Sequence, residues 1–190
     1  MITCVFGLPG SGKSTLMAKK CCDAMRKRLG RAPYDKVYCN FYLKGAYPIR
    51  FDDLGVYNFE NCLILIDEAM NEADSRDFKS FDALKKYYFS NHRHYGVDIC
   101  YFTQAWDDVD KKIRNNTEEL YIVRKFLWWS YTRSIQRIID INSDTHEIIT
   151  GYGWVPFSYK FYFRPRYYKY FNSFERKKLD PLLERHKIPY

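Results

Sequence analysis

The sequence predicts an α/β fold: a three-layer sandwich on a mainly parallel sheet, then a small β-hairpin and an aromatic, basic C-terminal appendage. Three observations predict it. Short apolar runs alternate with helical patterns over the first two-thirds of the chain. One of them, Cys62–Ile66 (CLILI), is apolar throughout, as a strand buried on both faces requires. A glycine-rich turn directly follows the first run. Strands joined through helices need right-handed crossovers, which lay helices on both faces of a parallel sheet.

Taken in order, Ile2–Phe6 is the first strand and ends in that turn. From Ser14 to about Leu29, Leu16, Met17, Lys20 and Met25 recur near helical spacing, and Gly30 is the stop. Strands follow at Lys36–Phe41, Cys62–Ile66, Val97–Thr103 and Leu120–Phe126, with a helix at Phe78–Asn91. The pattern changes after about Trp128. Arg133–Ile141 and Glu147–Tyr152 read as a hairpin around Asn142–Thr145. Rings and cations then crowd Tyr159–Phe171, and a terminal helix is expected at Asn172–His186. The predicted organisation is a core at 1–127 and an extension at 128–190 packed on the same domain.

Composition sets the boundaries. A chain of 190 residues suits one domain of ordinary size. No run approaches eighteen apolar residues and mean hydropathy is −0.51, so no membrane-spanning helix is expected. The amino end, MITCVFGLPGSGKS, has neither a basic leader nor a cleavable apolar stretch, and no secretory signal is expected. Lys and Arg number 31 against 23 Asp and Glu, a formal +8 that draws polyanions or serves solubility alone. Six cysteines form no CxxC pair, which argues for reduced core thiols rather than zinc or disulfides.

The chemistry begins at Gly7–Thr15 (GLPGSGKST), which fits G-x-x-x-x-G-K-[ST] at every position. Gly7, Gly10, Ser11, Gly12, Lys13, Ser14 and Thr15 are the predicted phosphate-binding residues. Glycines let the backbone turn so that successive N–H groups face one oxyanion, and the helix that follows adds partial positive charge. Lys13 would span the β- and γ-phosphates, and the Ser14 hydroxyl would ligate Mg²⁺. The strand Cys62–Ile66 ends in Asp67 and Glu68. Asp67 at a buried strand's carboxyl end can hold Mg²⁺ through water, and Glu68 can orient or deprotonate the attacking water. Alone, such an acidic strand end is common; beside a phosphate loop it is specific.

The strand Val97–Phe102 runs into Thr103 and Gln104. If it neighbours the Asp67 strand, the Gln104 amide arrives near the γ-phosphate. Arg93, in His92–His94, reads either as a finger placed on a neighbouring subunit's phosphate or as a surface arginine at a helix C-terminus. The ring-and-cation stretch from Trp154 to Tyr170 has three readings: a cap on the sheet edge, a nucleic-acid surface, or a membrane or partner surface.

Together the GLPGSGKS loop, the LILIDEA strand end and Asn91–Ile99 (NHRHYGVDI) leading to Thr103 and Gln104 resemble the zonular occludens toxin (Zot) family, which includes the assembly ATPases of filamentous phages. The similarity runs from Met1 to about Lys125, through Val109–Arg114 (VDKKIR). The resemblance implies a P-loop NTPase of RecA or FtsK/HerA type, ATP as nucleotide with Mg²⁺, and nucleotide roles for Lys13, Ser14, Asp67, Glu68 and Gln104. It implies a ring-forming homo-oligomer such as a hexamer. Its work would be to export single-stranded phage DNA as coat and assembly proteins gather at the host inner membrane. Family members commonly carry a membrane helix and an outer domain after the ATPase. This chain is expected to lack both and to sit in the host bacterial cytoplasm or at the inner membrane's cytoplasmic face. The alternatives weighed are a cytoplasmic DNA-packaging ATPase or helicase-like translocase, and a nucleotide kinase.

Overall fold

The computed structural model describes residues 1–27, 32–67, 89–107, 109, 111–141 and 148–171. Its centre is a sheet of five parallel strands: β1 (Ile2–Phe6), β2 (Lys36–Cys39), β4 (Cys62–Ile66), β5 (Asp98–Thr103) and β6 (Glu119–Phe126). A two-residue β3 (Tyr47–Pro48) is added at the β2 edge, in the order β3-β2-β4-β5-β1-β6. Beyond β6 the sheet turns antiparallel through β7 (Trp129–Ile141), which pairs with both β8 (Ile148–Trp154) and β9 (Lys160–Phe163).

Strand composition explains the layering. Every residue of β4 is buried, and β5 is buried from Ile99 to Thr103, because both lie between two helical layers. Helix α1 (Lys13–Met25) covers one face with Leu16, Met17, Ala18 and Cys21, which pack on Val5, Leu65, Phe102 and Val123. On the other face Phe89, Val109 and Ile113 close a second core over Ile2, Cys4, Ile64 and Leu120.

Several expected bounds shift. Helix α1 starts at Lys13 and ends at Met25, short of Leu29, and β2 stops at Cys39 rather than Phe41. Strand β7 begins four residues early, because its first half pairs with β6 and β9 and only its second half forms the predicted hairpin. Strands β3 and β9 do not follow from the hydropathy pattern; each is short and at an edge. The helix at Phe78–Asn91 is described only for Phe89–Asn91, and the terminal helix at Asn172–His186 lies outside the described residues. All six cysteines are free thiols, and Cys4, Cys21, Cys39, Cys62 and Cys100 are buried. Burial pushes the Cys21 and Cys62 thiols up to about 12.

Candidate functional site

The turn after β1 is built for close backbone approach. At Gly7 a Cβ would lie 2.6 Å from the Val123 carbonyl oxygen, so no side chain fits. Gly12 has φ +105° and is the N-cap of α1. A Cβ there would stand 2.6 Å from Ser130 Oγ and 3.1 Å from the Tyr162 hydroxyl. The Gly7 N–H donates to the Thr103 carbonyl at 3.3 Å, which fixes the start of the loop to the end of β5. Ser11 N–H donates to the Leu8 carbonyl at 3.1 Å and closes the turn. Lys13 Nζ folds over the loop and donates to the Gly7 and Leu8 carbonyls, at 2.6 and 3.2 Å.

Whether this turn suits an anion is decided by what the helix lacks. Gly12 makes no side-chain cap, and the first turn of α1 holds no acidic residue. The positive dipole end of a thirteen-residue helix therefore opens onto the loop. Ser11 Oγ is buried without a hydrogen-bond partner in the same turn. This helix end, with the Ser11 hydroxyl and Lys13 beside it, fits a phosphate. Ser14 is half-buried and Thr15 buried on the first turn of α1.

Registers bring the other predicted groups to this edge. Ile66 pairs with Tyr101 and Phe6 with Thr103, so Asp67 and Gln104 leave the sheet at the carboxyl edge where β1 enters the loop. Strand β5 stands between β4 and β1, which separates Asp67 from the loop by two strand spacings, about 10 Å. Gln104 is exposed, one residue past the buried Thr103, whose Oγ1 donates to the Ala105 carbonyl at 3.0 Å. Glu68 lies outside the described residues.

Arg93 is placed elsewhere. It lies in a 3₁₀ turn (His92–Tyr95) before β5, at the amino edge of the sheet. Its guanidinium is 70% exposed and pairs with Glu118. The six residues of β5, roughly 20 Å of strand, separate it from the loop edge of its own chain.

Three residues of the site escape a reading of the sequence. Asn40, wholly buried just past β2, accepts the Asp67 N–H at 2.7 Å and donates to the Asp67 carbonyl at 2.9 Å. The backbone that carries the carboxylate is thus held from both sides by one amide. Ser130 Oγ donates to the Ser11 carbonyl at 2.8 Å, and the Tyr162 hydroxyl donates to the Gly12 carbonyl at 2.9 Å. Burial raises the Tyr162 phenol well above its ordinary value, so it remains a donor. The readable signal is a polar residue where an apolar one is expected: Asn40 ending an apolar strand, and Ser130 among rings.

Comparison with known proteins decides the family. The profile of "Zonular occludens toxin (Zot)" matches residues 47–164, more than half of the chain. The chain belongs to the Zot family. The N-terminal domain of zonular occludens toxin from Neisseria meningitidis is a structural match, with TM-score 0.57, 17% identity, and cover of 90% of this chain and 98% of that one. That likeness shows the fold, an α/β sandwich on a mainly parallel sheet. The DNA-packaging ATPase B204 from Sulfolobus turreted icosahedral virus matches at TM-score 0.46 and 13% identity, over 78% of this chain and 95% of that one. None of the curated proteins matches this Zot-family chain.

Proposed function

We propose that this Zot-family chain is an ATP-hydrolysing motor for filamentous phage morphogenesis, which drives assembly and export of single-stranded phage DNA at the host inner membrane. One observation carries the reading: an uncapped helix N-terminus behind a glycine turn shares a sheet edge with Asp67 and Gln104. The loop amides and Lys13 bind the β- and γ-phosphates of ATP. Ser14 and, through water, Asp67 would hold a magnesium ion, which neutralises charge on those phosphates. Glu68 orients the attacking water, and the Gln104 amide contacts the γ-phosphate. Arg93 serves a nucleotide only across a subunit boundary, which is the arrangement of a ring.

Turnover of ATP by the purified chain, with magnesium, tests the reading. Lys13→Ala is expected to abolish it and Glu68→Gln to slow it while leaving ATP bound. Equal rates in Lys13→Ala and parent remove the assignment. Mixing Arg93→Ala with Lys13→Ala subunits should restore part of the activity; no rescue at any ratio argues against a shared site. Partition of the chain with inner membranes, in the presence of the other phage assembly proteins, separates an export motor from a cytoplasmic packaging ATPase.

A further inference from the structure

Strand alternation gives the outer sheet two unlike faces. Ser130, Thr132 and Tyr162 point to the side of α1 and are buried. Their neighbours point the other way and form cross-strand rows. Phe126, Trp129 and Phe163 share one row, and Arg124, Tyr131 and Phe161 the next. Farther along the same face lie Arg133 and Arg137, with Trp154 opposite Ile135. Over the β1–β5 half of the sheet this side is roofed by the second core. Over β6–β9 it is open: Phe126 is 63% exposed, Phe161 62% and Trp129 46%.

We propose that this open face binds single-stranded nucleic acid, its rings stacking bases and its arginines pairing phosphates. The proposal rests on the motor reading and names the surface that holds the motor's polymer. Charge selects the occupant. The described residues of this face on β6–β9 include Arg124, Arg133 and Arg137, while Glu119 points to the opposite side and Glu118, just ahead of β6, lies at the far end beside Arg137. A second copy of a chain with net +8 would meet like charge here, whereas a polyanion meets its complement. The rings favour a single strand over a duplex, since unpaired bases offer their faces for stacking and paired bases hide them. Spacing suits stacking: rings at alternate positions of a strand stand about 6.6 Å apart, so neighbouring rows can take successive bases. Arg133 is already oriented, 4.4 Å from the Trp154 ring and 5.0 Å from the Tyr159 ring. Its Nε is buried without a hydrogen-bond partner.

The test is fluorescence anisotropy of a labelled dT20 oligonucleotide with the full chain, its unlabelled duplex form as competitor. Parent protein should bind dT20, prefer it to the duplex, and lose affinity steeply as salt rises. Trp129→Ala and Phe161→Ala should each lose roughly ten-fold in affinity. Trp129→Phe, which keeps a ring, should recover most of the loss, a rescue that mere misfolding would not give. Arg133→Gln should lower both the affinity and the salt slope. If the ring variants match the parent, or the duplex binds equally well, the assignment is overturned. Binding of the ring face to phosphatidylglycerol vesicles with no binding of dT20 overturns it in favour of a membrane surface. These outcomes are separable from the motor reading: a parent that hydrolyses ATP but ignores dT20 sinks only the surface, and a parent no faster than Lys13→Ala sinks the motor.

Discussion

Asn40 shows how much one buried amide can decide. It satisfies both backbone groups of Asp67, so its loss leaves a donor and an acceptor without partners in a closed setting. Asn40→Ala is expected to cost about 1–3 kcal/mol of stability, read as a lower urea midpoint, and to raise the magnesium concentration that half-saturates ATP turnover. The loop is supported in the same manner from behind. Tyr162→Phe removes one neutral hydrogen bond, worth roughly 0.5–1.5 kcal/mol, and should weaken nucleotide binding several-fold in titration. Gly12→Ala should be more severe, since it adds left-handed strain of about 1–3 kcal/mol to a clash with Ser130. A Gly12→Ala variant that binds nucleotide like the parent would refute this account of the loop. At this scale the turn after β1 was legible, because Gly7 and Gly12 stand where close approach and positive φ leave no room for a side chain. Asn40, Ser130 and Tyr162 were not, because their partners are 27, 119 and 150 residues away.

Among the elements, the continuous apolar strands were the easiest to foresee. Strands β1 and β4 fall on the predicted residues, and β5 starts one residue late at Asp98. Burial on both faces leaves no room for polar interruption, so their limits are written in composition. Strands β7 and β9 carry polar residues on the α1 side and rings toward solvent, the reverse of the usual pattern, and simple hydropathy misplaces their limits. The turn before β5 gives a pH prediction. Burial lowers the His92 pKa below 6.5, against the Phe89 carbonyl, 2.7 Å from Nδ1, which raises it. Glu118 stands 3.4 Å from Nε2, and Arg93 and the terminal ammonium also face the ring. The folded chain thus binds fewer protons than the unfolded chain between the lowered value and 6.5, and stability falls as pH drops through that window. The urea midpoint should decline from about pH 7.5 to about pH 5.5 in the parent and less in His92→Gln; equal declines would count against the burial argument.

Across the whole molecule, one sheet continues from β6 into β7 past residue 127 without a break in pairing. The same strands present hydroxyls to the phosphate loop and rings to solvent, so the extension is part of the site's wall. A fragment of residues 1–127 is therefore expected to bind no nucleotide and to show no cooperative melting transition. A fragment that melts cooperatively and binds ATP would refute that dependence. Element order was legible from the alternation of strands and helices; the hairpin that carries β6 into β7 was not, because its turn is Leu127–Trp128 rather than the Gly, Asn or Asp that marks such turns.

The grip that Ser130 and Tyr162 keep on the turn at Ser11 and Gly12 also orders events in time. The glycine turn leaves the ribosome well before the side chains that set its carbonyls, which are translated more than a hundred residues later. During synthesis the nascent turn stays unset until β9 has emerged, and a turn ready for an anion waits on a strand made long after it.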